Sequence, residues 1–118
     1  MSLDLTLKNR EFNLKVANSS GHTVYEFEDF RLDAATRLLY HCGEQIDLTP
    51  KAVETLIALI ESHGEVIGKD DLMQKIWADT IVEESNLAQY LYVLRKTLGN
   101  TIDGKPYIET LKRRGYRF

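Results

Sequence analysis

Three consecutive basic residues, Lys112, Arg113 and Arg114, followed at once by Gly115, are the most concentrated positive charge in this 118-residue sequence. Cations held on a tight turn bind phosphate oxygens, or enter a narrow minor groove where the negative potential of a duplex is enhanced. Upstream, Ser85, Gln89, Tyr92 and Lys96 recur at helical spacing and make one polar face. Hydroxyl and amide groups so arranged hydrogen-bond base edges, and Gln matches adenine in a bidentate pair. Val93 beside them suits a thymine methyl. Asn86 is off the centre of the face but close to the helix start, the part that reaches deepest into a groove. Arg95 and Lys96, near the other end, suit phosphate.

The same residue types offer little for catalysis. There are three histidines, His22, His41 and His63, and one cysteine, Cys42, with no Gly-rich phosphate loop, paired metal ligands or nucleophile motif. His41 and Cys42 are adjacent at an expected hairpin, where neighbours along a strand point to opposite faces. They are read as decorating a turn rather than holding a metal. Asp70 and Asp71 read as first-turn helix charges. No catalytic residue, metal site or cofactor is expected, and an enzyme is disfavoured.

Charge distribution supports a polar partner for the C-terminal third alone. Residues 1–84 carry 8 Lys/Arg against 16 Asp/Glu, net −8, whereas residues 85–118 carry 7 against 2, net +5. A local field of that sign attracts phosphate even though the whole chain is −3. With 43% hydrophobic and 28% charged residues, the composition is that of an ordinary globular domain rather than a disordered one. No apolar run approaches the ~20 residues of a membrane span, and the acidic, polar N-terminus is unlike a signal peptide. A single cysteine excludes an internal disulfide and fits a reducing compartment. A cytoplasmic domain is expected, compatible with membrane tethering of a longer protein.

These side chains need a scaffold, and its pieces are readable. Residues 1–22 show no clear period, and Asn18, Ser19, Ser20 and Gly21 read as a loop, so 1–22 is taken as an extension or linker and 23–118 as the domain. Short strands are expected over 23–27, 30–32, 38–41 and 45–48, separated by turn formers at 33–36 and 42–44. Thr49 caps a first helix with Pro50 at its first position; Val53, Leu56, Ile57, Leu59 and Ile60 form its apolar face, and His63-Gly64 marks its end. Val66-Ile67 is a short strand pairing. A second helix opens at Gly68-Lys69 and buries Leu72, Met73, Ile76 and Trp77. After a connector over 78–84, a third helix spans 85–98, with Leu87, Leu91, Leu94 and Leu98 at i, i+4, i+7 and i+11 as a narrow core stripe. Residues 107–111 and 116–118 read as two strands of a hairpin, with Gly115 supplying the positive φ of its turn.

In this order, LTPKAVETLIAL (48–59), VIGKDDLMQKIW (66–77), VEESNLAQYLYVLRKTLG (82–99) and YIETLKRRGYRF (107–118) resemble the OmpR/PhoB-type winged-helix DNA-binding domain. That family comprises effector domains of response regulators and of receiver-less, CadC/ToxR-like regulators. The resemblance implies an α+β winged helix-turn-helix: an N-terminal antiparallel sheet, three helices and a C-terminal β-hairpin wing. It implies sequence-specific double-stranded DNA binding by the effector domain of a transcriptional regulator, third helix in the major groove and wing on the minor groove. Base-reading positions fall on Ser85, Gln89, Tyr92 and Val93. Backbone contacts fall on Tyr90, Arg95, Lys96 and Tyr116, with Thr110, Lys112, Arg113 and Arg114 on the wing. A loop that contacts RNA polymerase in the family corresponds to Ala78, Asp79, Thr80, Ile81, Val82 and Glu83.

One departure redistributes the load. Family recognition helices are often rich in Arg, whereas residues 85–94 here contain no basic residue. Affinity is therefore expected from Arg95, Lys96 and the wing, falls steeply with salt, and draws on a second copy at tandem half-sites. The roughly 26 residues ahead of the module cannot hold a receiver domain, so a sensor or other domain is expected to be missing from this chain. The rival reading is a winged-helix protein-interaction module without DNA binding. RNA is disfavoured because the basic turn lacks interleaved aromatics.

Overall fold

A computed structural model describes residues 3–9, 12–19, 22–62, 64–78, 83–101 and 104–118. Six strands come first: β1 (Leu3–Asn9), β2 (Phe12–Ser19), β3 (His22–Phe27), β4 (Phe30–Asp33), β5 (Leu38–His41) and β6 (Glu44–Ile46). They form one antiparallel meander in chain order. Three helices follow, α1 (Pro50–Ile60), α2 (Lys69–Ile76) and α3 (Glu84–Leu98), then β7 (Glu109–Leu111) and β8 (Gly115–Arg117) as a separate two-stranded hairpin. This is the expected winged helix. Among the described residues, no helix is long and apolar enough to cross a membrane.

Residues 3–9, 12–19 and 22 differ from the irregular segment expected of them. β1 pairs along its whole length with β2, and β2 pairs in turn with β3. Leu3-Asp4-Leu5-Thr6-Leu7 alternates with period 2, the signature of a strand. Asn18 and Ser19, read as loop formers, instead stand opposite Thr23 and His22 in the β2–β3 register. Ladder pairing satisfies their backbone groups and overrides the turn preference of their side chains. Leu14 of β2 is fully buried in the common core.

Local chemistry sets the helix starts. Thr49 Oγ1 accepts a hydrogen bond from the Ala52 N–H (3.3 Å), and Pro50 occupies the first helical position, where its missing N–H costs nothing. α1 ends at Ile60, closed by the Glu61 N–H on the Ile57 carbonyl, earlier than the His63-Gly64 signal suggested. Gly64 does take a positive φ of 81°, while His63 lies outside the described residues. Of the α2 stripe, Leu72 and Ile76 are buried and Met73 and Trp77 half-buried.

The core joins sheet to helices through aromatic rings. Phe27 meets Phe30, Tyr107 and Phe118 at 5.3, 5.6 and 5.0 Å between ring centroids. This packing explains why the wing strands are shorter than expected: Tyr107 and Ile108 are buried before β7 begins, and Phe118 is buried after β8 ends. The Tyr107 hydroxyl hydrogen-bonds the Glu28 carboxylate, and burial together with that carboxylate raises the phenol pKa far above its usual value.

Candidate nucleic-acid interface

α3 is placed by its leucines. Leu87, Leu91, Leu94 and Leu98 are all buried, so the opposite face must look outward. On it Ser85, Asn86, Gln89, Tyr92 and Lys96 are exposed, with Tyr92 at 61% the one exposed large hydrophobic among the described residues. Val93 is half-buried on the flank. Ala88, absent from the expected set, is exposed between Ser85 and Tyr92. Its spacing of three from Ser85 was the available signal, and its bare methyl leaves that part of the face without bulk.

Tyr90 faces another way. It is half-buried with its ring 5.8 Å from that of Trp77, which pins the start of the α2–α3 connection to α3. In that connection Ala78 and Glu83 are exposed, whereas Asp79, Thr80, Ile81 and Val82 lie outside the described residues. Ser85 Oγ lies 3.5 Å from a Glu83 carboxylate oxygen.

The wing is fastened to the helices from two sides. From α3, the Arg95 guanidinium donates to Thr110 Oγ1 and lies 6.0 Å above the Tyr116 ring. Three of the expected backbone-contact residues thus meet in one cluster. From the other side, Ile67 and Tyr116 exchange backbone hydrogen bonds of 2.8 and 2.9 Å, the pairing anticipated for Val66-Ile67.

Gly115 has φ +140°, and a Cβ there would come within 2.7 Å of the Ile67 carbonyl carbon and 2.9 Å of Gly68 Cα. The close approach of a second backbone is thus what requires glycine at this position. Within the turn the left-handed residue is Arg113, at φ 65°. Glu109 and Arg117, opposite each other across the ladder, form an ion pair.

The basic turn is exposed at Lys112, Arg113 and Arg114. It lines a cleft of about 410 Å³ together with Lys69, at the first turn of α2. Lys69 was not among the expected contacts. The signal for it was its position directly after the Ile67 pairing, which brings the α2 start against the wing. Its ammonium lies 2.9 Å from a Glu84 carboxylate oxygen, and that hydrogen bond and charge hold its pKa above the ordinary value.

Cys42 departs from its expected geometry. It follows β5 rather than belonging to it and takes φ 51°, which turns its side chain back toward His41 instead of away. Cys42 Sγ and His41 Nε2 are 3.8 Å apart.

Residues 43–118 match the family model described as "Transcriptional regulatory protein, C terminal". The transcriptional regulator HilA of Salmonella typhimurium is 35% identical over 94 residues, covering 80% of this chain and 17% of HilA. The chain therefore spans under a fifth of the length of that relative. Among solved structures, the DNA-binding domain of E. coli CadC superposes with a TM-score of 0.67 at 28% identity, covering 76% of this chain and 85% of that one. The response regulator DrrB of Thermotoga maritima, an OmpR/PhoB homologue, gives a TM-score of 0.69 at 27% identity, over 80% of this chain and 43% of its own. The match is to DNA-binding domains of transcription regulators and not to an enzyme family. This chain belongs to the transcriptional regulatory protein C-terminal family, the OmpR/PhoB-type winged-helix DNA-binding domains.

Proposed function

We propose that the chain is the effector domain of a transcriptional regulator that binds double-stranded DNA sequence-specifically. α3 enters the major groove and the β7–β8 wing lies on the adjacent minor groove. The observation that carries this reading is the Arg95 cluster: it couples the exposed polar face of α3 to the exposed basic turn, so both present to one partner. Ser85, Asn86, Gln89, Tyr92 and Val93 read bases, with Ala88 leaving room for the approach. Arg95, Lys96, Thr110, Tyr116 and the Lys112, Arg113 and Arg114 turn hold phosphates, as does Tyr90 where its hydroxyl reaches the backbone.

The uncharged stretch 85–94 of α3 makes the hold chiefly electrostatic through other residues and the reading chiefly hydrogen-bonded and apolar. Residues 78–83 offer a surface for RNA polymerase, and a second copy on a tandem half-site supplies the affinity that one module lacks. The domain works in the cytoplasm, with a sensor or other domain elsewhere in the longer protein.

Electrophoretic retardation on random and selected duplexes at two salt concentrations tests the reading. Binding that weakens steeply with salt, and survives better on selected sequence, supports it. Absence of retardation at low salt would instead assign the domain to protein interaction.

A further inference from the structure

Two reverse turns lie side by side at one end of the meander. Phe30 and His41 are register partners in the β4–β5 ladder, so the next residues outward, Asp29 and Cys42, flank each other. The Cys42 N–H donates to the Asp29 carbonyl at 2.9 Å and closes the pair. The His41 ring is oriented by stacking on Phe30, at 4.5 Å between centroids and 28° between planes. With Cys42 turned back by its positive φ, one donor atom from each of Asp29, His41 and Cys42 lies within 4.8 Å of the other two.

We propose that Asp29, His41 and Cys42 form a binding site for a divalent transition metal of the zinc class, with one coordination position open to water. Zinc bonds of about 2.0–2.3 Å to N, O and S place tetrahedral donors about 3.3–3.7 Å apart. The Cys42 Sγ to His41 Nε2 separation of 3.8 Å already matches that edge. The Asp29 carboxylate, within 4.8 Å of both, has to close in, and its side chain is exposed. A thiolate, an imidazole and a carboxylate form a borderline-soft set whose two negative charges balance a dication. Asp29 and His41 also line a hollow with Thr97, Leu98 and Asn100 at the C-terminal end of α3, where the helix dipole favours a cation. The simpler account, a bare Cys–His hydrogen bond beside a turn aspartate, predicts no metal uptake.

Co(II) titration of the reduced 118-residue protein separates the two. Cys42 is the only cysteine, so a near-ultraviolet thiolate-to-cobalt charge-transfer band reports this site alone. The expected result is one equivalent of Co(II), a band abolished by Cys42→Ser, and affinity reduced at least about tenfold by Asp29→Asn and by His41→Gln. Zn(II) should displace the cobalt and raise the melting temperature of the parent protein but not of Cys42→Ser. Asp29 and Cys42 are exposed, so metal-free Asp29→Asn and Cys42→Ser should melt with the parent, whereas His41→Gln also gives up the ring stacked on Phe30. No band, a band saturating at half an equivalent, or affinity unmoved by both Asp29→Asn and His41→Gln would overturn the proposal.

Discussion

Arg95 of α3 and Thr110 of β7, fifteen residues apart, are joined by a guanidinium-to-hydroxyl hydrogen bond, and the same guanidinium covers the Tyr116 ring. A long cation near the helix end is therefore committed to the hairpin before any phosphate arrives. Thr110→Val should free it. DNA affinity is expected to fall about 3–10-fold, reflecting one lost charge-assisted bond, while the Arg95→Met, Thr110→Val double variant loses less than the sum of the two. A double-mutant cycle by fluorescence anisotropy measures the coupling, and strict additivity would show that the pair does not act together.

Cations on the wing turn should act on every duplex alike. Replacing Lys112, Arg113 and Arg114 by Ala one at a time should lower the slope of log affinity against log salt by about one per phosphate contact removed, with sequence preference unchanged. Lys69→Ala should lower affinity less, because its ammonium is shared with Glu84. Titrations at several salt concentrations give these slopes.

Gln89→Ala should do the reverse. Losing a bidentate amide costs discrimination at one adenine position, about 1–3 kcal/mol, with the salt slope intact. In-vitro selection with parent and variant reads this directly. An unchanged profile would mean that α3 presents another face to the bases.

Gly115→Ala should unfold the domain more readily, by about 1–3 kcal/mol, because the new methyl meets the Ile67 backbone in a left-handed conformation. Urea denaturation is the measure, and a midpoint equal to that of the parent would contradict the close approach.

Asp33 predicts an acid-side dependence. Its partial burial would raise the carboxyl pKa, but N–H groups of Thr36 and Ala35, together with His22, outweigh this and hold it below the ordinary value. Stabilisation from the ionised group is thus fully present above the ordinary carboxylate pKa and is lost as pH falls through the lowered one. Asp33→Ala should cost about 1 kcal/mol at neutral pH, and the difference from the parent should shrink on acidification. Urea midpoints at a series of pH values follow it; a difference independent of pH would exclude the charge.

Much of the architecture was legible because it is written in local period and capping. The leucines of α3, Thr49-Pro50 and the turn formers between β3 and β6 each report a property of a few neighbouring residues. What escaped depends on contacts between distant segments. Asn18 and Ser19 prefer loops by themselves and become strand through Thr23 and His22. Gly115 reads as a turn residue, yet its requirement comes from Ile67, forty-eight positions earlier. The site behaves likewise: the outward face of α3 follows from its buried face, whereas the Arg95 cluster, the Lys69 cleft and the turn of the Cys42 thiol toward His41 depend on how elements meet. Ala88 was missed for another reason, since a side chain with no polar atom announces nothing.

The two-sided fastening of the hairpin, by Ile67 from below and Arg95 from the side, turns the domain into a ruler. A hinged wing could follow a groove wherever it lay. On the reading proposed above, a fixed one finds a phosphate only where groove width sets the backbone at that one distance from α3, so the shape of the duplex would be sensed along with its bases.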